Sequence, residues 1–179
     1  MRRRSQPAVI RPARREDVGV LLELFAELAD YERLSHELRA NAQGLSEALF
    51  GERPAAEALI AEQDSVAVGY ALFFPTFSSF LTNRGVWLED LFVRPSHRKA
   101  GIGRALLAAV AARARAQGGR LEWAALDWNE LALGFYRRLG ARTMRSWITH
   151  RLDGEELLRV AEHDDLPDVA GAAGAEERR

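Results

Sequence analysis

Residues 85–104 read GVWLEDLFVRPSHRKAGIGR, and this stretch decides the fold. Gly85 to Val93 is rich in aliphatic and aromatic residues and predicts a strand. Pro95 ends it. Ser96 to Gly103 form a basic, glycine-containing turn. A helix is predicted from there to about Gln117. Ile102, Leu106, Val110 and Ala114 make its buried stripe, and Gly118-Gly119 stops it. A helix start carries unpaired N–H groups and about half a positive charge, so it attracts anions. Glycines there let a phosphate approach the backbone. Arg98, Lys99 and Arg104 add charge, and residues 91–121 hold no acid. The segment predicts a pyrophosphate site.

Several phosphate ligands compete for such a turn. A dinucleotide fingerprint needs a third glycine, and that position is Leu106. Glu122 stands roughly where a ribose-binding acid would be, which keeps this alternative open. A Walker A loop needs Gly-Lys-Ser/Thr, which is absent. A plain helix start with convenient glycines is the remaining alternative.

Outward from this stretch, residues 7–13 predict a short strand with Pro12 at its end. Arg14 to about Tyr31 predicts a helix buried through Val18, Leu21, Leu22, Phe25 and Leu28. A loop of weak helical character runs to Pro54. Residues 56–62 and 66–75 predict two strands joined at Gln63-Asp64-Ser65. Residues 76–84 predict a polar and aromatic loop, and 121–127 a further strand. Glu130 to Leu139 predicts a short helix closed by Gly140. Residues 142–152 predict a final strand or hairpin arm, and 155–160 a last helical turn. This order predicts an α/β domain with one mixed sheet and helices on both faces. The expected organisation is a disordered N-terminus over 1–6, one domain over 7–161 and a disordered tail over 162–179, which turns acidic and then Gly/Ala-rich.

The chain has 179 residues, which suits one domain at about 150 residues each. It has no cysteine, so there is no disulfide, thiolate metal site or cysteine nucleophile. No apolar run approaches about 18 residues, and the N-terminus lacks a signal-peptide core. A cytoplasmic protein without membrane contact is expected. The formal net charge is −1, which argues against whole-surface nucleic-acid binding. That sum hides two runs. Residues 30–64 carry eight acids against three bases, and residues 91–121 carry seven bases. Chance clustering is one explanation, and an anion site beside a cation site is the other. Gly-x-Ser-x-Gly and His-Glu-x-x-His are both absent, and the four histidines have no zinc spacing, so no metal is expected.

The pattern Arg98-x-x-Gly101-x-Gly103 after the LEDLFV strand resembles the GNAT superfamily of N-acetyltransferases. Residues 127–141, DWNELALGFYRRLGA, resemble a later motif of that family, with Asn129, Ala132, Phe135, Tyr136 and Gly140 at matching positions. ELADYERL (27–34), WLEDLFV (87–93), DWNE (127–130) and FYRRLGA (135–141) resemble the diamine (spermidine/spermine) and thialysine acetyltransferase branch. The resemblance implies a GNAT fold, with a central mixed and splayed sheet, and acetyl-CoA as co-substrate. It implies a pyrophosphate turn at Arg98, Lys99, Ala100, Gly101, Ile102, Gly103 and Arg104. Leu91 and Val93 would pair with pantetheine, and Asn129 and Tyr136 would also touch the donor. Glu89 is implied as general base and Tyr136 as general acid. Glu89 and Asp90 are the implied substrate residues, with Glu32 and Glu37 in the family's substrate loop, and the ring chemistry of Tyr31, Trp87 and Trp147 offers apolar or cation–π walls to an amine. A homodimer is also implied.

Two points need physical reconciliation. Strand alternation sends Glu89 and Asp90 to opposite faces, so both can serve one pocket only if the strand is bulged there. The loop TFSSFLTNRG (76–85) lacks the extra acid and tryptophan of polyamine enzymes, which favours a shorter amine. The expected function is direct acetyl transfer to a small primary amine. A non-catalytic CoA-binding module and a protein or peptide N-acetyltransferase are the alternatives.

Overall fold

The computed structural model describes residues 6–162. Expectations for residues 1–5 and 163–179 lie outside them. The chain forms two units, which divide after Asn129.

The first unit is built on five strands: β1 (Val9–Pro12), β2 (Glu57–Gln63), β3 (Val66–Ser78), β4 (Asn83–Val93) and β5 (Leu121–Glu122). They lie side by side in sequence order. The first three junctions are antiparallel and β4–β5 is parallel, so the sheet is mixed. Helix α1 (Val18–Glu32) follows one 3-10 turn, α2 (Ala42–Phe50) precedes β2, and α3 (Ile102–Gln117) follows β4. Val18, Leu21 and Leu24 of α1 and Leu45 and Leu49 of α2 pack on Ile60, Tyr70 and Phe92. Alternation turns Ala71, Phe73 and Leu88 to the other face, where α3 lies against β3 and β4. Its buried stripe of Ile102, Leu106, Val110 and Ala114 matches the sequence spacing. Helices therefore cover both faces.

Pairing along β3 and β4 contains one irregularity, and it falls at the LED segment. Leu72 pairs with Asp90, but Phe73 pairs with Leu88. Glu89 is the extra residue of a β-bulge. On its far side β4 meets β5 only through Val86 and Trp87. Among the described residues, no strand pairs with Leu88 to Val93 on that side, so the sheet splays there.

Several boundaries differ from the sequence expectation. The strand expected over 121–127 is only Leu121–Glu122. Its pairing stops two residues before the bulge, where β4 turns away. The loop expected over 76–84 is a hairpin, with β3 reaching Ser78 and β4 starting at Asn83. Its polar residues sit on a strand extension and not on a free loop. Pro75 is tolerated in β3 because it lies beyond the last β2 pair, Glu57 with Phe73, so no ladder donor is lost. Residues 42–50 form a full helix, capped by the Asn41 side chain accepting from the Gly44 N–H at 2.9 Å.

The second unit contains α4 (Glu130–Arg138) and α5 (Gly154–Ala161). Gly140 closes α4 in the left-handed region, at φ 83°, as its sequence position predicts. Residues 142–152 form no strand, which corrects the expectation of a hairpin arm. Alternation alone does not make a strand without a neighbour to share the ladder. The last helical turn is instead two turns long. Among the described residues, no helix is long and apolar enough to cross a membrane.

Candidate active site

The bulge decides which acids meet. Alternation puts Leu72, Phe74 and their partners Asp90 and Trp87 on the α1 face of the sheet. Glu89 reaches the same face, because its Oε2 accepts the Trp87 indole N–H at 2.8 Å. Without the extra residue Glu89 and Asp90 would point apart. With it, both carboxylates stand on one side.

Asp90 is the more buried of the two. The hydroxyl of Tyr70, itself fully buried, donates to its Oδ2 at 3.0 Å. Burial pushes the Asp90 carboxyl up to about 6. The Tyr70 bond opposes that rise, while the charges of Glu89 and Glu32 add to it. Burial also pushes the Glu32 carboxyl above its usual range, and the Tyr70 phenol is raised well above its own. A pocket of about 220 Å³ opens here. Phe25, Leu28, Leu34 and Leu38 form its apolar wall, and Glu32, Glu37 and Asp90 supply acids. Such a cavity suits a short apolar chain ending in a cation.

The other edge of β4 has different chemistry. The Arg94 N–H donates to the Val68 carbonyl at 2.9 Å. In an antiparallel ladder the bonded pairs alternate, so Phe92 and Asp90 also bond toward β3. Leu91 and Val93 then turn their N–H and C=O groups to the unpaired edge. Arg94 fixes the end of this strand to α1 through Glu27, with contacts of 2.7 to 3.1 Å.

Beyond it, Lys99 at φ 66° and Gly101 at φ 83° are both left-handed. A Cβ on Gly101 would meet nothing within 4 Å, so the turn is open to a ligand. The first α3 bond runs from Ala105 N–H to Gly101 O, which leaves the amides of Ile102, Gly103 and Arg104 without helical partners. Ile102 is buried and its side chain serves the core. Lys99, Ala100 and Arg104 are exposed. Arg98 is already engaged, since its Nε–H donates to the Val93 carbonyl and its guanidinium covers the Tyr31 ring.

The remaining expected site residues lie as follows. Tyr31 does not line the pocket. Its hydroxyl donates to Asn129 Oδ1 at 3.3 Å. Tyr136 lies on α4, half-buried beside Phe135 at 5.3 Å between ring centroids. Trp147 is exposed in the second unit. Tyr70 was not singled out by sequence, where it reads as one more aromatic on an apolar strand. A polar partner on the next strand, 20 residues on, gives no local signal.

The profile of the acetyltransferase (GNAT) family matches residues 21–141. The chain belongs to that family. This GNAT chain is an N-acetyltransferase, and its family uses acetyl-CoA as co-substrate. It is 36% identical to a thialysine N-epsilon-acetyltransferase of Mus musculus over 164 residues, covering 85% of this chain and 96% of that one. It is 32% identical to an L-ornithine N5-acetyltransferase of Arabidopsis thaliana, covering 84% and 86%. Among solved structures, an integron cassette protein from the mobile metagenome of V. cholerae superposes with a TM-score of 0.73 at 26% identity, covering 88% and 99%. The non-catalytic alternative gives way to an enzyme.

The residues present fit the donor. Free amides and an open glycine at the α3 start suit its diphosphate, and the strand edge at Leu91 and Val93, where Arg98 holds the Val93 carbonyl, suits the amides of its arm.

Proposed function

We propose that the chain acetylates the primary amine of a small cation by direct transfer from acetyl-CoA. The acid-lined pocket beside the bulge carries this reading. A free alkylammonium has a pKa of about 10, so it must lose a proton before it can attack. Asp90, Glu32 and Glu37 attract the cation, and Glu89 takes its proton, directly or through water. The amine nitrogen then bonds to the thioester carbon. The Leu91 N–H faces the edge where charge develops on the carbonyl oxygen. The attached nitrogen sheds its second proton as the C–S bond breaks, the Tyr136 hydroxyl gives its own proton to the thiolate, and the nitrogen's proton, relayed through water, restores the phenol.

The pocket gathers Glu32, Glu37 and Asp90 around one apolar wall, and the hairpin over 76–85 lacks the further acid and tryptophan of polyamine enzymes, which together favour a short amine over a long polycation. Both relatives, by their names, place the acetyl group on a side-chain nitrogen of an amino acid. The substrate class we favour is therefore a diamine or a thialysine-like amino acid. Purified chain and acetyl-CoA should release thiol fastest with such acceptors. A peptide N-terminus as the best acceptor would overturn the reading in favour of a protein acetyltransferase. The proposed state is a cytoplasmic homodimer, and light scattering should give twice the monomer mass.

A further inference from the structure

The β4 edge is only partly free, and one side chain closes it. The Val93 carbonyl faces the unpaired side of the sheet, yet the Arg98 Nε–H donates to it at 2.9 Å. The guanidinium thus holds one lone pair of that carbonyl and occupies the edge where an amide of the donor's arm would approach. The same guanidinium lies 4.6 Å from the Tyr31 ring centroid and 5.8 Å from that of Phe92. These contacts hold the cation without neutralising it. Among the described residues Arg98 has no acid partner, whereas Arg94, four residues earlier, is bound to Glu27.

We propose that Arg98 is a specificity latch, which opens the β4 edge only to a donor that carries a diphosphate. The inference rests on the reading of β4 and the Arg98–Arg104 turn as the donor site. A diphosphate offers the Arg98 guanidinium full negative charge and a bidentate fit where the Val93 carbonyl offers one dipole, so the diphosphate outcompetes that carbonyl for Arg98. Moving Arg98 to the turn uncovers Val93. A pantetheine arm without the diphosphate must break the Arg98–Val93 bond with nothing to replace it. Arg98 thus has two opposite effects: it favours the complete donor and obstructs the truncated one.

That opposition is testable by binding, without turnover. CoA and pantetheine are titrated by calorimetry into wild type, Arg98→Met and Arg98→Lys. Arg98→Met should weaken CoA at least about tenfold and tighten pantetheine about fivefold, the worth of one net hydrogen bond. Arg98→Lys keeps the charge but loses the Nε–H and the planar stack. It should retain part of the CoA affinity and still tighten pantetheine. Unchanged pantetheine binding with weakened CoA would overturn the latch and leave the donor site standing. Unchanged CoA binding in Arg98→Met would overturn the donor site and the latch together. Weakening of both ligands with a lowered melting temperature would make Arg98 a structural brace and overturn the latch.

Discussion

Glu89 and Asp90 are neighbours in sequence with different surroundings, and different work follows. Glu89 is exposed and held by the Trp87 indole, so its carboxylate is positioned and accessible. Glu89→Gln keeps an acceptor for that indole but cannot take a proton. Its kcat should fall about 10²- to 10⁴-fold with an unchanged melting curve. Asp90 titrates near 6, above its unfolded value of 3.8. A raised folded value means that its stabilising share is complete below the unfolded value and is lost as pH rises through 6. Asp90→Asn should therefore melt higher than wild type at pH 7.5, with the gap closing toward pH 4.5. The amine KM tests the same group. In wild type it should rise as pH drops below 6, and in Asp90→Asn it should be high and flat. The motif made both acids legible in sequence, and strand alternation exposed the conflict that a bulge resolves. Tyr70, whose hydroxyl bond opposes the rise that burial imposes on Asp90, was not legible, because contact across strands leaves no spacing of its own.

At the scale of elements, β4, the turn and α3 were legible because local chemistry fixes them. Strand propensity, a proline stop, two glycines and a helical stripe agree along residues 85–118. Gly101 is constrained by its backbone angle and not by crowding. At φ 83° a β-branched side chain costs about 1–2 kcal/mol, and it would also fill the open cradle. Gly101→Val should weaken CoA binding about tenfold or more in a calorimetric titration, beyond its small loss of melting temperature. β5 is shorter than its sequence predicts and residues 142–152 form no strand, for one shared reason. A strand is a property of two segments, and the sequence of one does not say where its partner bends away. The hairpin at 76–84 erred in the opposite direction, since polar residues there ride on an extended ladder.

Across the whole molecule the two charge runs are less separate than their sums of −5 and +7 suggest. Arg94 pairs with Glu27, Arg113 with Glu57 and Arg120 with Glu122. Arg11 takes Glu62 and Asp17. The cations with no described acid partner include Lys99 and Arg104, both exposed at the turn, while Glu32 and Asp90 stay together in the pocket. Ion pairing thus accounts for part of both runs, and on the proposed reading the rest divides between the donor turn and the amine pocket. Raising ionic strength from about 0.05 to about 0.5 M should raise the KM for acetyl-CoA more than that for the amine. The exposed turn is screened, and the half-buried Asp90 less so. Equal salt slopes in steady-state kinetics would contradict this division.

The extra residue of β4 also bears on how such a chain can change over generations. Insertions or deletions at the hairpin tip, residues 79–82, alter both strands beyond the register shift and leave the count across it untouched. Acceptor loops can therefore vary in length while Glu89 keeps its place. Loss of the single Glu89 codon is the opposite case. It restores an even ladder between β3 and β4, so the sheet closes more regularly than before. Its product would be a well-folded, silent relative, separated from the enzyme by three nucleotides.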